Sequence, residues 1–179
     1  LRDLPRRVIA KRPVPTWAEM DAAVWSARPE MRGRVQYGAE WIHRMFLLQR
    51  FLGLRSGQVR RLLWSDFNLE QATLVIRPEL GKSRQEQQGR TVPISTHLVA
   101  AMTSWAPGEG LVLGKAVTNA SVRLTARRVW DRSGVRREVW AATAGRRGQQ
   151  THAFRHGFIT GLRSVGVDLT LVHYLVGHK

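Results

Sequence analysis

The chain has no cysteine among its 179 residues, which excludes a disulfide framework, a thiolate zinc site and a cysteine nucleophile together. Acidic residues are scarce: 13 Asp and Glu stand against 29 Lys and Arg, a net charge of +16. A field of that sign attracts polyanions through counterion release, but it specifies neither a sequence nor a reaction. No apolar run approaches the roughly 20 residues that cross a bilayer, no segment repeats, and no low-complexity tract occurs. A membrane partner is therefore not expected, and a cytosolic compartment fits the missing cysteines. Tyrosine is rare as well, with only Tyr37 and Tyr174. There is no signal peptide, and a first residue of Leu1 rather than Met raises the expectation that other sequence precedes it.

What is present reads as one globular domain behind a short arm. Residues 1–15 carry Arg2, Arg6, Arg7, Lys11 and Arg12 among three prolines and read as a basic linker, which leaves residues 16–179 as the domain. Thr16-Trp17-Ala18-Glu19 has capping-box spacing and predicts a helix to about Arg28. Trp41, Met45, Leu48 and Leu52 recur at helical spacing and predict a second helix from about Arg34 to Phe51. A short helix capped by Ser56 should follow, since Val59, Leu62 and Leu63 continue the period. The pattern then changes: Ala72–Ile76 and Thr91–Ile94 are β-prone runs on either side of the polar, turn-rich Gly81–Gly89. Helices are expected again over Thr96–Trp105, Thr118–Arg132, Thr151–Val165 and Leu169–Val176, the last capped by Asp168. The fold class is α+β, mainly helical, with a small antiparallel sheet.

Three stretches carry candidate chemistry. In Thr151-His152-Ala153-Phe154-Arg155-His156, helical spacing puts Phe154, Phe158 and Leu162 on one stripe and projects His152 and Arg155 side by side on its flank; a solvated basic face would look the same. Arg55 stands at a loop-to-helix junction, where a guanidinium suits a phosphate, although capping or surface arginines occupy such places too. Lys82 lies in or beside the hairpin turn, an ordinary place for a loop lysine.

In order along the chain they resemble something definite. Leu54-Arg55-Ser56-Gly57-Gln58 followed by Leu63-Trp64-Ser65-Asp66 resembles the first arginine box of the tyrosine recombinases (the phage-integrase family), and Gly81-Lys82 with Thr91-Val92-Pro93-Ile94 resembles their lysine-bearing hairpin. His152-Ala153-Phe154-Arg155-His156 resembles their His-x-x-Arg-His box, and Leu175-Val176-Gly177-His178 their Leu-Gly-His box. The four boxes cover about two thirds of the chain in family order.

The resemblance implies the catalytic fold of those DNA breaking-and-rejoining enzymes. It implies site-specific recombination of double-stranded DNA through a 3′-phosphotyrosyl intermediate, with no metal or other cofactor, by a homo-oligomer assembled as a tetramer on DNA. It implies a bacterial or phage-encoded, nucleoid-associated protein of a mobile element. Arg55 and Arg155 match the clamp on the scissile phosphate, Lys82 the general acid for the leaving 5′-oxygen, His152 an acid or base, and His178 a hydrogen-bond donor to the phosphate. Arg84, Arg90 and His156 are the neighbouring DNA-contact candidates. Gln58 departs from the carboxylate common at its position. The family tyrosine lies about nine residues past the Gly-His pair, so the nucleophile is expected beyond Lys179 and the domain is read as incomplete at that end. Tyr174 reads as a packing residue with a surface hydroxyl. Most tryptophans read as core, Trp140 in an Arg-rich connector is left open, and His43, His97, His156 and His173 lack the company of a metal site. Two alternatives stand beside this reading: a basic DNA-binding module without catalysis, and a type IB topoisomerase-like enzyme.

Overall fold

A computed structural model describes residues 13–32, 35–37, 39–81, 89–141 and 150–177. The helices are α1 (Trp17–Ser26), α2 (Glu40–Leu52), α3 (Ser56–Val59), α4 (Thr96–Thr103), α5 (Asn119–Arg132), α6 (Arg137–Ala141), α7 (His152–Ser164) and α8 (Leu169–Val176). The strands are β1 (Glu30–Arg32), β2 (Val35–Tyr37), β3 (Phe67–Asn68), β4 (Thr73–Ile76) and β5 (Arg90–Pro93). The mainly helical architecture with a small antiparallel sheet, β3-β4-β5, is the expected one; the two-stranded sheet β1-β2 is an addition to it. Residues 1–12 of the basic arm, together with Lys82, Arg84 and His178, lie outside the described residues.

Helix α1 starts as its sequence dictates. The Glu19 amide donates to the Thr16 hydroxyl at 3.3 Å, and the Thr16 amide donates to the Glu19 carboxylate at 2.8 Å, so two orphan donors are satisfied reciprocally. Helix α2 starts later than expected. Instead of helix from Arg34, strands β1 and β2 pair antiparallel, Glu30 opposite Tyr37 and Arg32 opposite Val35. The β-prone Val35 and Tyr37 lie in a stretch punctuated in sequence by Gly33 and Gly38, and each glycine costs a helix about 1 kcal/mol relative to alanine.

The core gathers around α2, whose Ile42, Met45, Phe46 and Leu48 have no exposed surface. Phe46 meets Phe154 of α7 at 4.6 Å between ring centroids, and Trp130 of α5 approaches the same two rings at 6.1 and 5.1 Å. Trp140 stacks on Trp130 at 6.2 Å, nearly parallel, and is 2% exposed. The connector left open from sequence therefore holds a short helix, α6, that completes the core. Trp25, by contrast, stays on the surface with the Arg28 guanidinium over its ring at 3.8 Å.

Gly53 ends α2 in the left-handed region, with φ 61°. A Cβ there would lie 2.4 Å from the Phe158 ring, so both backbone conformation and space demand glycine. Helix α7 in turn meets α1 closely at Gly161, where a Cβ would fall 2.3 Å from the Trp17 ring.

The sheet runs β3-β4-β5, with Phe67 opposite Leu74, Leu74 opposite Val92, and Ile76 opposite Arg90. Leu74, Ile76 and Val92 face inward while Val75, Thr91 and Pro93 are exposed, the period-2 alternation of a sheet with one solvated face. Helix α8 has the expected bounds, and the Asp168 carboxylate accepts from the Thr170 and Leu171 amides at 2.8 and 3.2 Å. These bonds hold its pKa below the usual carboxylate value.

Candidate active site

Three segments distant in sequence converge on the turn after α2. The Gln49 amide, with no exposed surface, donates to the Leu54 carbonyl at 3.0 Å and to the Thr151 carbonyl at 3.4 Å. It thus ties the residue before Arg55 to the residue before His152. Arg155, only 3% exposed, donates from one end of its guanidinium to the Gly53 carbonyl at 3.0 Å and from the other to the Val176 carbonyl at 2.7 Å. A buried guanidinium needs such acceptors, and its planar fork can serve two at once. Arg155 therefore straps α7 to both the Arg55 turn and the end of α8, one residue before Gly177.

A cleft of about 350 Å³ has walls that include Arg55, Gln58, Arg60, Arg61, Gly81 and His152, with Arg155 outside its lining. Asn119, the first residue of α5, closes one side. Helix α3 is a single turn with Arg55 at its N-cap position and Ser56 already inside it, so the expected cap residue moves back by one. The Arg55 amide donates to the Gln58 side-chain oxygen at 3.1 Å. The amide side chain that replaces the usual carboxylate thus holds the backbone of Arg55. Its own nitrogen is buried and meets no acceptor among the described residues. Arg60 donates to the Val117 carbonyl at 2.7 Å; burial, with the Arg61 charge adding, lowers its pKa from the ordinary guanidinium value, yet it stays a cation at neutral pH. A larger groove of about 510 Å³ runs between Trp64, Phe67, Leu69 and Pro107, but its walls carry Glu109 and no cation.

Of the predicted residues, Arg55, Arg90, His152, Arg155 and His156 are among the described ones, while Lys82, Arg84 and His178 lie outside them. Arg55 and His152 share the cleft, and Gly81, the residue before Lys82, is on its wall. His156 lies one turn beyond His152, 6.4 Å between rings, on the solvent side of α7. Partial desolvation, reinforced by the Arg155 charge, holds its pKa below 6.5. Arg90 sits on the inner side of β5 and donates to the Leu175 carbonyl at 3.3 Å, and it packs so closely on Gly177 that a Cβ there would lie 2.6 Å from the guanidinium. Tyr174 is half exposed and its hydroxyl donates to the Thr91 carbonyl at 2.9 Å, the surface position expected of it. Sequence reasoning missed Gln49 and Arg60. A glutamine on an otherwise apolar helical stripe was the available signal for the first; nothing separated Arg60 from the other 28 cations.

Comparison with known proteins identifies the family and the fold. The profile of the phage integrase family matches residues 32–179. Tyrosine recombinase XerC of Xanthomonas axonopodis pv. citri is 25% identical over 136 residues, 71% of this chain and 39% of the relative. The XerC of Xanthomonas campestris pv. campestris is 26% identical over 139 residues, again 71% of this chain and 37% of the relative. The chain thus spans about two fifths of the length of these curated relatives. Among solved structures, XerA recombinase superposes with a TM-score of 0.69 at 15% identity, covering 98% of this chain and 57% of that one. The integrase of mycobacterium phage Brujita gives 0.66 at 22%, covering 99% and 51%, and XerH recombinase bound to its palindromic difH substrate gives 0.66 at 22%, covering 93% and 46%. With the family profile matched over most of the chain and the fold shared with these recombinases, the chain belongs to the phage integrase family, the tyrosine recombinases, and forms their catalytic domain.

Proposed function

We propose that this domain cleaves and rejoins duplex DNA at a specific site, with the scissile phosphate seated in the cleft between Arg55 and His152. The observation that carries the proposal is convergence: Arg55, the lead into Lys82, and His152 come from three separate segments and line one basic cleft. XerH and the Tn1549 integrase, which share the fold, have been solved in complexes with DNA.

In the proposed reaction a tyrosine hydroxyl attacks phosphorus, the bond to the 5′-oxygen breaks, and the products are a 3′-phosphotyrosyl link and a free 5′-hydroxyl. Reversal of the same step rejoins strands, so the bond energy is kept and no nucleotide is consumed. Charge that develops on the non-bridging oxygens is met by Arg55 on the cleft wall, while Arg155, buried and bonded to the Gly53 and Val176 carbonyls, adds a fixed positive charge and holds the Arg55 turn. Lys82 supplies the proton to the leaving oxygen, His152 assists the proton transfer, and His178 donates to the phosphate. Arg84 and His156 act around this centre on the DNA backbone, and Arg90, the third DNA-contact candidate, acts there by holding β5 against α8 through its bond to the Leu175 carbonyl. A homo-oligomer on DNA, of which this chain is one subunit, would exchange the strands.

The test uses the chain carried past Lys179 to the tyrosine expected there. Duplexes selected by the protein from a random pool are nicked next to the cleavage site, so that a cut strand cannot be rejoined. A covalent protein–DNA adduct with a free 5′-hydroxyl is expected. Arg55→Ala should lower its formation by about a hundredfold or more, with a smaller loss of binding. Binding without any adduct would leave a DNA-binding module, and relaxation of supercoiled DNA with no site preference would point to a topoisomerase.

A further inference from the structure

We infer that Arg60 and the start of α5 hold a second phosphate of the scissile strand, close to the one seated at Arg55; the inference rests on that seat. The two arginines bracket the single turn of α3, Arg55 at its N-cap and Arg60 at its C-cap, so their backbones stand on the order of 7 Å apart at about 1.5 Å per residue. A DNA strand carries a phosphate about every 3.4 Å of helix axis. A strand with one phosphate at Arg55 therefore brings another to the wall that Arg60 lines.

Arg60 differs from its neighbours in what its donors meet. Arg61 donates to the Gly57, Glu79 and Leu80 carbonyls at 3.0, 2.7 and 3.1 Å. Among the described residues Arg60 donates only to the Val117 carbonyl, at 2.7 Å, and its Nε is buried without an acceptor. Arg44, Arg50 and Arg77 each have a carboxylate beside them, whereas the lining of this cleft holds none. A partly desolvated guanidinium without counter-charge is costly until an anion completes it. The Val117 bond also fixes what stands opposite. Val117 precedes Thr118, the N-cap of α5, whose hydroxyl accepts from the Ser121 amide at 3.1 Å. The amides of Asn119 and Ala120 are left without an intrahelical acceptor, and Asn119 lines the cleft. Such amides, at the positive end of a helix of 14 residues, suit an anion. Gln58, on the wall between the two arginines, is an independent sign: it is 2% exposed, and its side-chain nitrogen meets no acceptor among the described residues. This corner has donors in excess, and a phosphodiester brings acceptors and negative charge together.

The experiment replaces one phosphate at a time by an uncharged methylphosphonate, at each position near the scissile one on the cleaved strand of the selected duplex. Binding is measured for the tyrosine-bearing chain and for its Arg60→Ala and Arg60→Gln variants. At one position the parent should lose about 5- to 20-fold in affinity and both variants less than about twofold, because the partner of that phosphate is already gone. Both variants should also lower the salt slope by about one. Arg60→Gln keeps much of the stem and a donor for Val117, which guards against a folding defect in the alanine variant. A role confined to bracing α5 would make the two losses multiply at every position, and that result overturns the inference, as does a parent that loses nothing at any of them. Adduct formation on the nicked duplex is followed in parallel. An adduct that depends on Arg55, without coupling at Arg60, removes the second phosphate and leaves the proposed reaction standing; no adduct on any selected duplex overturns both.

Discussion

Two histidines show how a single side chain links this fold to pH. His43 on α2 has a buried Nδ1 that meets no partner among the described residues. Its pKa is lowered by burial and by the charges of Arg28 and Arg44, with Glu40 opposing. His156 is shifted the same way by desolvation and by Arg155. Both therefore fold as neutral imidazoles. A histidine whose folded pKa lies below its unfolded value stabilises fully above about pH 6.5, and that stability is lost as pH falls through the folded value. The thermal midpoint should accordingly drop between about pH 7 and pH 5, and His43→Gln should flatten part of the drop. A profile unchanged in the variant would remove His43 from this account. At neutral pH His156 would meet DNA as a hydrogen-bond donor, not as a cation.

At the scale of elements, the seam between α2, the turn at Gly53 and the start of α7 rests on Gln49. Gln49→Leu keeps the volume but withdraws donors from the Leu54 and Thr151 carbonyls; it also removes a buried side-chain oxygen that meets no donor among the described residues. The first effect costs about 1–3 kcal/mol and the second offsets some of it, so urea unfolding should show a net loss of about 1–2 kcal/mol with an unchanged slope. A variant as stable as the parent would mean that the seam is held by packing alone. Such seams are also where the sequence stops being legible. The Thr16 and Asp168 caps, the β4–β5 hairpin and the bounds of α8 are local signals and were readable. The β1–β2 hairpin was hidden behind an apolar spacing that also fits a helix. Helix α6 was hidden because the burial of Trp140 depends on tertiary packing, including its stack on Trp130, and β3 is too short to leave a pattern. For the site, the sequence pointed to Arg55, His152 and Arg155. That Arg155 reaches Gly53 and Val176 depends on contacts across 102 and 21 residues, which no spacing rule contains.

For the molecule as a whole, the proposed function makes the +16 charge the main determinant of whether DNA is bound and the cleft the determinant of where it is held. Binding to a duplex should therefore weaken by about a hundredfold or more from about 50 to 200 mM salt, because each phosphate contact releases nearly one counterion. Arg55→Ala should lower that salt slope by about one contact at most. An affinity indifferent to salt would contradict the electrostatic account.

The strap that joins Gln49 to Thr151 and Gly53 to Arg155 also sets a clock during synthesis. Both bonds span 102 residues, and at roughly 5–20 residues per second a ribosome needs about 5 to 20 s to supply the second partner after the first. Throughout that interval the nascent chain carries Arg55 and Arg61 but neither His152 nor Arg155. On the proposed function, it can cling to polyanions well before all the residues that line its cleft have been made.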